Sequence, residues 1–229
     1  MKAKVWDLPI RLFHVAIILL VAVQWWTGER LDKPVAPGGW DPFILHVWSG
    51  CSILALVLFR VIWGLVGSTT ARFSQFLKGP VAVARYMRGL FSRSQPHVAG
   101  HNPLGGWSVM LMLGFLLVLP LLGLFAADED QMGAPPHGPL SDMVNTGLAD
   151  TAAHWHHQGW HLFIYVFGVH VAAALFYLIV KRQNLIGAMI TGRDHVEGAE
   201  TLRFRPLWLA LLILAITGGA VGAALTWLP

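Results

Sequence analysis

The chain has 229 residues, 55% hydrophobic and 12% charged, with a mean hydropathy of +0.59, a balance that excludes an ordinary water-soluble globular domain. The formal net charge of +4 carries no nucleic-acid signature, because Lys and Arg are scattered between apolar runs instead of gathered into a stripe. The single cysteine, Cys51, excludes an intrachain disulfide, an iron-sulfur cluster held by this chain alone and thioether attachment of a c-type haem. Within its apolar run it reads as an inert buried thiol.

Five apolar segments follow one another, at about 10–26, 43–65, 107–127, 160–180 and 207–228, each suited to a helix crossing hydrocarbon. The first follows Lys2, Lys4 and Arg11 as a signal peptide would. It lacks a small-residue cleavage site and closes on Gln24-Trp25-Trp26, so it reads as a retained helix. Trp25, Trp26, Trp107, Trp160, Trp208 and Trp227 sit at segment ends, where an amphipathic ring suits the headgroup boundary. The expected fold is all-α, an integral membrane helical bundle forming one membrane domain over 1–229, with a four-helix core and a fifth, C-terminal transmembrane helix.

The connections set the orientation. Between the second and third segments lie Arg72, Lys78, Arg85, Arg88 and Arg93, and between the fourth and fifth lie Lys181, Arg182, Arg193, Arg203 and Arg205. The first connection has only Arg30 and Lys33, and the third has neither Lys nor Arg. Basic loops stay cytoplasmic, which puts the N-terminus inside and the C-terminus outside. The third connection, Asp128 to Asp150, opens on Asp128-Glu129-Asp130. It reads as a solvated loop or as a dock for a basic soluble partner such as a c-type cytochrome.

Histidines inside spans are functional candidates by default. His14 lies towards the inner end of the first helix and His46 towards the outer end of the second. The fourth carries His170 and, at its outer end, His154, His156, His157 and His161. At about 100° per residue, His156 and His170 share one face, His157 is turned about 100° away, and His161 is nearly opposite. Their 14-residue separation is a rise of about 21 Å, enough for two planar macrocycles at two levels. Chain direction then pairs His14 with His170 inside and His46 with His156 outside, two imidazoles per level, as six-coordinate haem iron requires. A histidine bonded to a neighbouring helix, or a metal or proton pathway, is the alternative; a pathway would bring acidic residues into the spans, and there are none.

Gly50, Gly159 and Gly168 lie near these histidines and suit either a flat ring or close helix packing. Arg60 follows His46 by 14 residues, and Arg11 precedes His14 by one turn. Both are candidates for haem propionates or for snorkelling to the interface.

Val5-Trp6-Asp7-Leu8-Pro9 with Arg11 and His14, Ala71-Arg72-Phe73-Ser74-Gln75-Phe76, the segment from Gly100 to Trp107 and the helix-four histidine pair together resemble the bacterial cytochrome b561 family, related to the b-type cytochrome subunits of nickel-iron hydrogenases. The likeness runs over nearly the whole chain. It implies a bundle with two b haems whose axial ligands come from helices one, two and four, here His14, His46, His156 and His170. The family commonly has Glu after the outer histidine of helix four; here His157 stands there and is the alternative to His156. His101, in Gly-His-Asn-Pro, is a secondary candidate for a propionate or a quinone headgroup, or a structural turn.

The function expected is a bacterial inner-membrane electron carrier, or the cytochrome subunit of an oxidoreductase, embedded in lipid. It would pass electrons between the quinone pool and a c-type cytochrome or dehydrogenase subunit in a respiratory chain. The alternatives are a quinone-linked oxidoreductase acting on a small oxidant such as superoxide at the outer face, and a haem-free transporter.

Overall fold

The computed structural model describes residues 2–31, 39–90, 98–127, 137–196 and 199–226. A short strand β1 (Ala3–Lys4) leads into α1 (Leu8–Gly28), followed by α2 (Pro42–Val66), α3 (Phe73–Phe76), α4 (Pro80–Arg88), α5 (Pro103–Phe125), α6 (Thr146–Ile179), α7 (Leu185–Thr191), β2 (Arg193–Asp194) and α8 (Leu207–Thr226). Five of these, α1, α2, α5, α6 and α8, are long and apolar enough to cross a membrane. The chain is a multi-pass helical membrane protein.

The starts of these helices are written in the sequence. Asp7 accepts the Ile10 N–H at 2.9 Å, Asp41 the Phe43 N–H at 2.8 Å, and Asn102 the Gly105 N–H at 2.8 Å. Each is followed within two residues by a proline, which needs no donor in a first turn. Asn145 does the same for Leu148 at 2.9 Å. That cap starts α6 at Thr146, well before the apolar run at Trp160, because its first turns are polar and hydropathy alone does not register them. His154, His156 and His157 are therefore fully helical.

The long helices contribute to two compact units. The first comprises Met1–Phe13, Arg60–Leu113 and Tyr165–Ile213; the second comprises His14–Phe59, Gly114–Ile164 and Leu214–Pro229. In the first unit β1 pairs antiparallel with β2, Ala3 opposite Asp194, a ribbon too short and too non-local for the sequence to announce. Beside it the Val5 N–H donates to the Gly192 carbonyl at 2.8 Å and the Thr70 hydroxyl to the Val5 carbonyl at 2.7 Å. Gly192 ends α7 with φ +76°, where a Cβ would also press on Trp6 and Arg11. Trp63 and Val5 are fully buried there.

In the second unit the chain after α5 folds back on its helix. The Gly138 N–H donates to the Ala126 carbonyl and the Leu140 N–H to the Leu124 carbonyl, both at 2.7 Å. A Cβ on Gly138 would lie 2.3 Å from the Gly123 carbonyl oxygen, so only glycine permits this return. Phe163 packs between Phe115 and Trp160, with ring centroids 6.1 and 5.7 Å away. The acidic run Asp128-Glu129-Asp130 lies outside the described residues.

Candidate haem centre

Within the second unit, α2 and α6 bring His46 and His156 together. Their ring centroids are 6.1 Å apart and their planes meet at 77°. An imidazole nitrogen binds a transition metal at about 2 Å, so two rings on opposite sides of one metal have centroids on the order of 6 Å apart. The spacing matches.

The second ring nitrogen of each histidine is already committed. His156 Nδ1 lies 2.8 Å from the Leu119 carbonyl oxygen, which can only accept, so the proton is on Nδ1. His46 Nδ1 lies 2.9 Å from the Thr27 hydroxyl. That hydroxyl also lies 2.8 Å from the Val23 carbonyl and 3.2 Å from the Gln24 carbonyl, and when it donates to either it accepts from His46. As neutral Nδ1–H tautomers, which these contacts suit, both rings present a lone pair on Nε2, the form in which imidazole ligates a metal. Neither Nε2 has a hydrogen-bond partner among the described residues.

Neighbours hold the rings in place. Gln24 donates to the His46 carbonyl and to the Ser49 hydroxyl, both at 2.7 Å, tying α1 to α2 at the ring's own level. Both histidines line a cavity of about 270 Å³ that is also bordered by Gly28, Gly50, Gly123 and Gly138. A Cβ on Gly123 would come within 2.9 Å of His156 Cε1, and one on Gly50 within 3.3 Å of Gln24 Nε2. The donors and the glycine-lined space fit a flat macrocycle held by two imidazoles. Thr27, Gln24, Leu119 and Gly123 were not singled out from the sequence. Thr27 lies one residue beyond the expected span at about 10–26, and its full burial is visible only in the structure.

His157, exposed, turns to His161, with centroids 4.9 Å apart; it is His156 that meets His46. No group of three or more His, Cys, Asp or Glu is arranged to hold a metal ion among the described residues. His14, in the second unit, and His170, in the first, are each half-buried on their own helices. Gly159 would meet Leu119 at 2.7 Å if it carried a Cβ, which identifies it as a helix-packing residue, whereas Gly168 has open space beside it.

In the first unit Arg11 donates to the Met189 and Ile190 carbonyls, capping the C-terminal end of α7. Arg60, 3% exposed, lies 5.0 Å from the Phe73 ring centre and under the field of Asp7. Its Nη1 has no hydrogen-bond partner among the described residues. The Asp7 carboxylate accepts from the Ile10 N–H on one oxygen and from Trp63 Nε1 at 3.0 Å on the other. His101 packs against Trp6 and Phe76, with ring centroids 4.8 and 4.6 Å away. Tyr86 and Tyr177 share a hydrogen bond, and Asn102 Nδ2 donates to Tyr177 at 3.1 Å. Burial, reinforced by Tyr177, pushes the Tyr86 phenol well above its usual range.

Comparison with known proteins meets this geometry from another side. The probable Ni/Fe-hydrogenase B-type cytochrome subunit of Azotobacter vinelandii is 29% identical over 219 residues, covering 82% of this chain and 86% of that protein. The probable Ni/Fe-hydrogenase 1 B-type cytochrome subunit of Escherichia coli K12 is 26% identical, covering 85% and 92%. The probable superoxide oxidase CybB of Yersinia pestis is 23% identical, covering 77% and 90%. No solved structure matches the chain. The model of the prokaryotic cytochrome b561 family matches residues 5–192, from just after the first strand through α7, and takes in every helix that carries or braces the two rings. The chain therefore belongs to the prokaryotic cytochrome b561 family and is a membrane-spanning b-type cytochrome of electron transfer.

Proposed function

We propose that the chain holds two b haems, one between His46 and His156 towards the outer face and one between His14 and His170 towards the cytoplasmic face. As a single membrane domain it would carry electrons across a bacterial inner membrane. The observation that carries this reading is the His46–His156 pair, 6.1 Å apart with both Nδ1 protons committed to acceptors. The inner pair rests on helical phase along α6 and on chain direction. The orientation, with the N-terminus cytoplasmic and the C-terminus periplasmic, rests on the basic connections.

Haem supplies one-electron chemistry at its iron; the protein supplies ligands, orientation and a low-dielectric shell. Thr27 and the Leu119 carbonyl fix which nitrogen faces the metal, and their acceptance of the Nδ1 protons strengthens each imidazole as a donor. Arg60, buried and with an unpartnered Nη1, has a donor to spare for an inner propionate. Arg11 already serves α7, so it would share its guanidinium.

Quinone is the proposed partner in the membrane, and a dehydrogenase subunit or a periplasmic c-type cytochrome is the soluble or associated one. The hydrogenase subunits among the relatives support the former. A second reading, electron exchange between superoxide and quinone at the outer face, draws on the superoxide oxidase among the relatives. It is disfavoured by the acidic third connection, which would repel an anion.

The test is haem stoichiometry of the purified protein by pyridine haemochrome. Two b haems per chain are expected, falling to one in His156→Ala and staying at two in His157→Ala. One haem in the wild type, or loss on changing His157 alone, overturns the assignment. Absence of Soret absorption would point to a haem-free transporter, and superoxide-dependent haem reduction would favour the second reading.

A further inference from the structure

His157 and His161 stand one turn apart on α6, both exposed and both on the wall of the cavity that His46 and His156 share. Their rings make contact with each other, and neither makes a hydrogen bond among the described residues. An i, i+4 histidine pair on a helix is the spacing at which two imidazoles reach one metal from the same side.

The ring separations distinguish the two pairs. With a metal about 3 Å from each ring centre, imidazoles on opposite sides of it have centroids about 6 Å apart, while imidazoles at adjacent positions have them about 4.5 to 5 Å apart. His46 and His156, at 6.1 Å, have the first spacing; His157 and His161, at 4.9 Å, have the second. Adjacent coordination is what tetrahedral or octahedral ions accept, whereas the axial positions of a haem lie opposite one another.

We propose that His157 and His161 form a two-imidazole chelate for a borderline divalent cation of the Zn²⁺ or Cu²⁺ class at the wall of the haem cavity. Nitrogen donors without thiolate or carboxylate select that class over Mg²⁺ and Ca²⁺. The remaining coordination positions are open to water or an external ligand.

The experiment uses tag-free, haem-loaded protein in detergent, freed of metals with a chelator. It is titrated with Zn²⁺ by calorimetry and with Cu²⁺ by electron paramagnetic resonance. One equivalent of Zn²⁺ is expected to bind, with a nitrogen-coupled Cu²⁺ signal. Loss of one of the two direct ligands in His161→Ala or His157→Ala should weaken binding by at least about 10-fold, the lower end of what removing a residue that merely supports a ligand costs. His154→Ala should leave it unchanged. Haem absorbance in each variant separates this proposal from the axial-ligand assignment and reports that the bundle is intact. No Zn²⁺ binding, or binding unaffected in His161→Ala, overturns the chelate. Loss of haem in His157→Ala overturns it as well, because that imidazole would then be an axial ligand.

Discussion

Asp7 in the first unit and the two facing imidazoles in the second use their polar atoms differently. In the first unit both Asp7 oxygens accept hydrogen bonds, Arg11 caps α7, and the Thr70 hydroxyl donates to Val5. In the second, one nitrogen of each key imidazole is satisfied and the other is left available beside a cavity. A buried polar atom without a partner costs about 1–3 kcal/mol, so it persists where something outside the chain completes it. Arg60 Nη1 and Arg72 Nε, both buried in the first unit, are exceptions there, with no hydrogen-bond partner among the described residues.

The sharpest way to break this contrast is Gly123→Leu. A side chain at that position would meet His156 Cε1 within 2.9 Å at its first carbon, so the ring must leave its place. Loss of one haem per chain, by pyridine haemochrome, is expected with helical circular dichroism unchanged; full haem retention would show that the ring position is not critical. Next in size is Asp7→Ala, which removes a helix cap, the Trp63 partner and the counter-charge of Arg60 together. It should destabilise the protein by about 2–4 kcal/mol, read as a fall in the thermal midpoint. The haem proposed at His46 and His156 should keep its spectrum, since Asp7 bonds to Ile10 and Trp63 and to neither ring.

A smaller effect is expected of Thr27→Val, which keeps the shape but removes the acceptor of the His46 proton. About 1 kcal/mol of orientation is lost and the imidazole becomes a weaker donor. Redox titration should show one midpoint potential raised, because the oxidised iron depends more on donor strength; an unchanged potential would detach Thr27 from the site. Smallest is the pH response of Tyr86. Its phenol has a folded-state pKa above its usual value of about 10, so the folded protein holds that proton more tightly than the unfolded chain does. Stability from this source is complete below about pH 10 and declines as pH rises towards the folded pKa. Tyr86→Phe should flatten that decline in thermal midpoint, and an identical slope in both proteins would remove Tyr86 from the response.

Much of the scaffold was legible because its signals are local. Twenty apolar residues in a row read as a span without reference to any other part of the chain, and Asp41-Pro42 and Asn102-Pro103 mark helix starts within a single turn. The turns of α6 before His154 were not legible, since Thr146 to Ala153 is polar enough to pass for a loop and is helical through its Asn145 cap. The amphipathic α4 and the β1–β2 ribbon likewise fall below what hydropathy registers.

For the site, the helical period by itself selected His156 over His157, because a repeat of 3.6 residues fixes the angle between side chains on one helix before any neighbour is known. What the period could not supply is what each ring touches. That Thr27, 19 residues from His46, and Leu119, 37 residues from His156, hold the two Nδ1 protons was decided by packing. So was the use of Arg11 at the end of α7, 178 residues away. Spans and faces are properties of short stretches of chain; tautomers, free lone pairs and the cavity beside them depend on which helices meet, and only the tertiary structure carries that information.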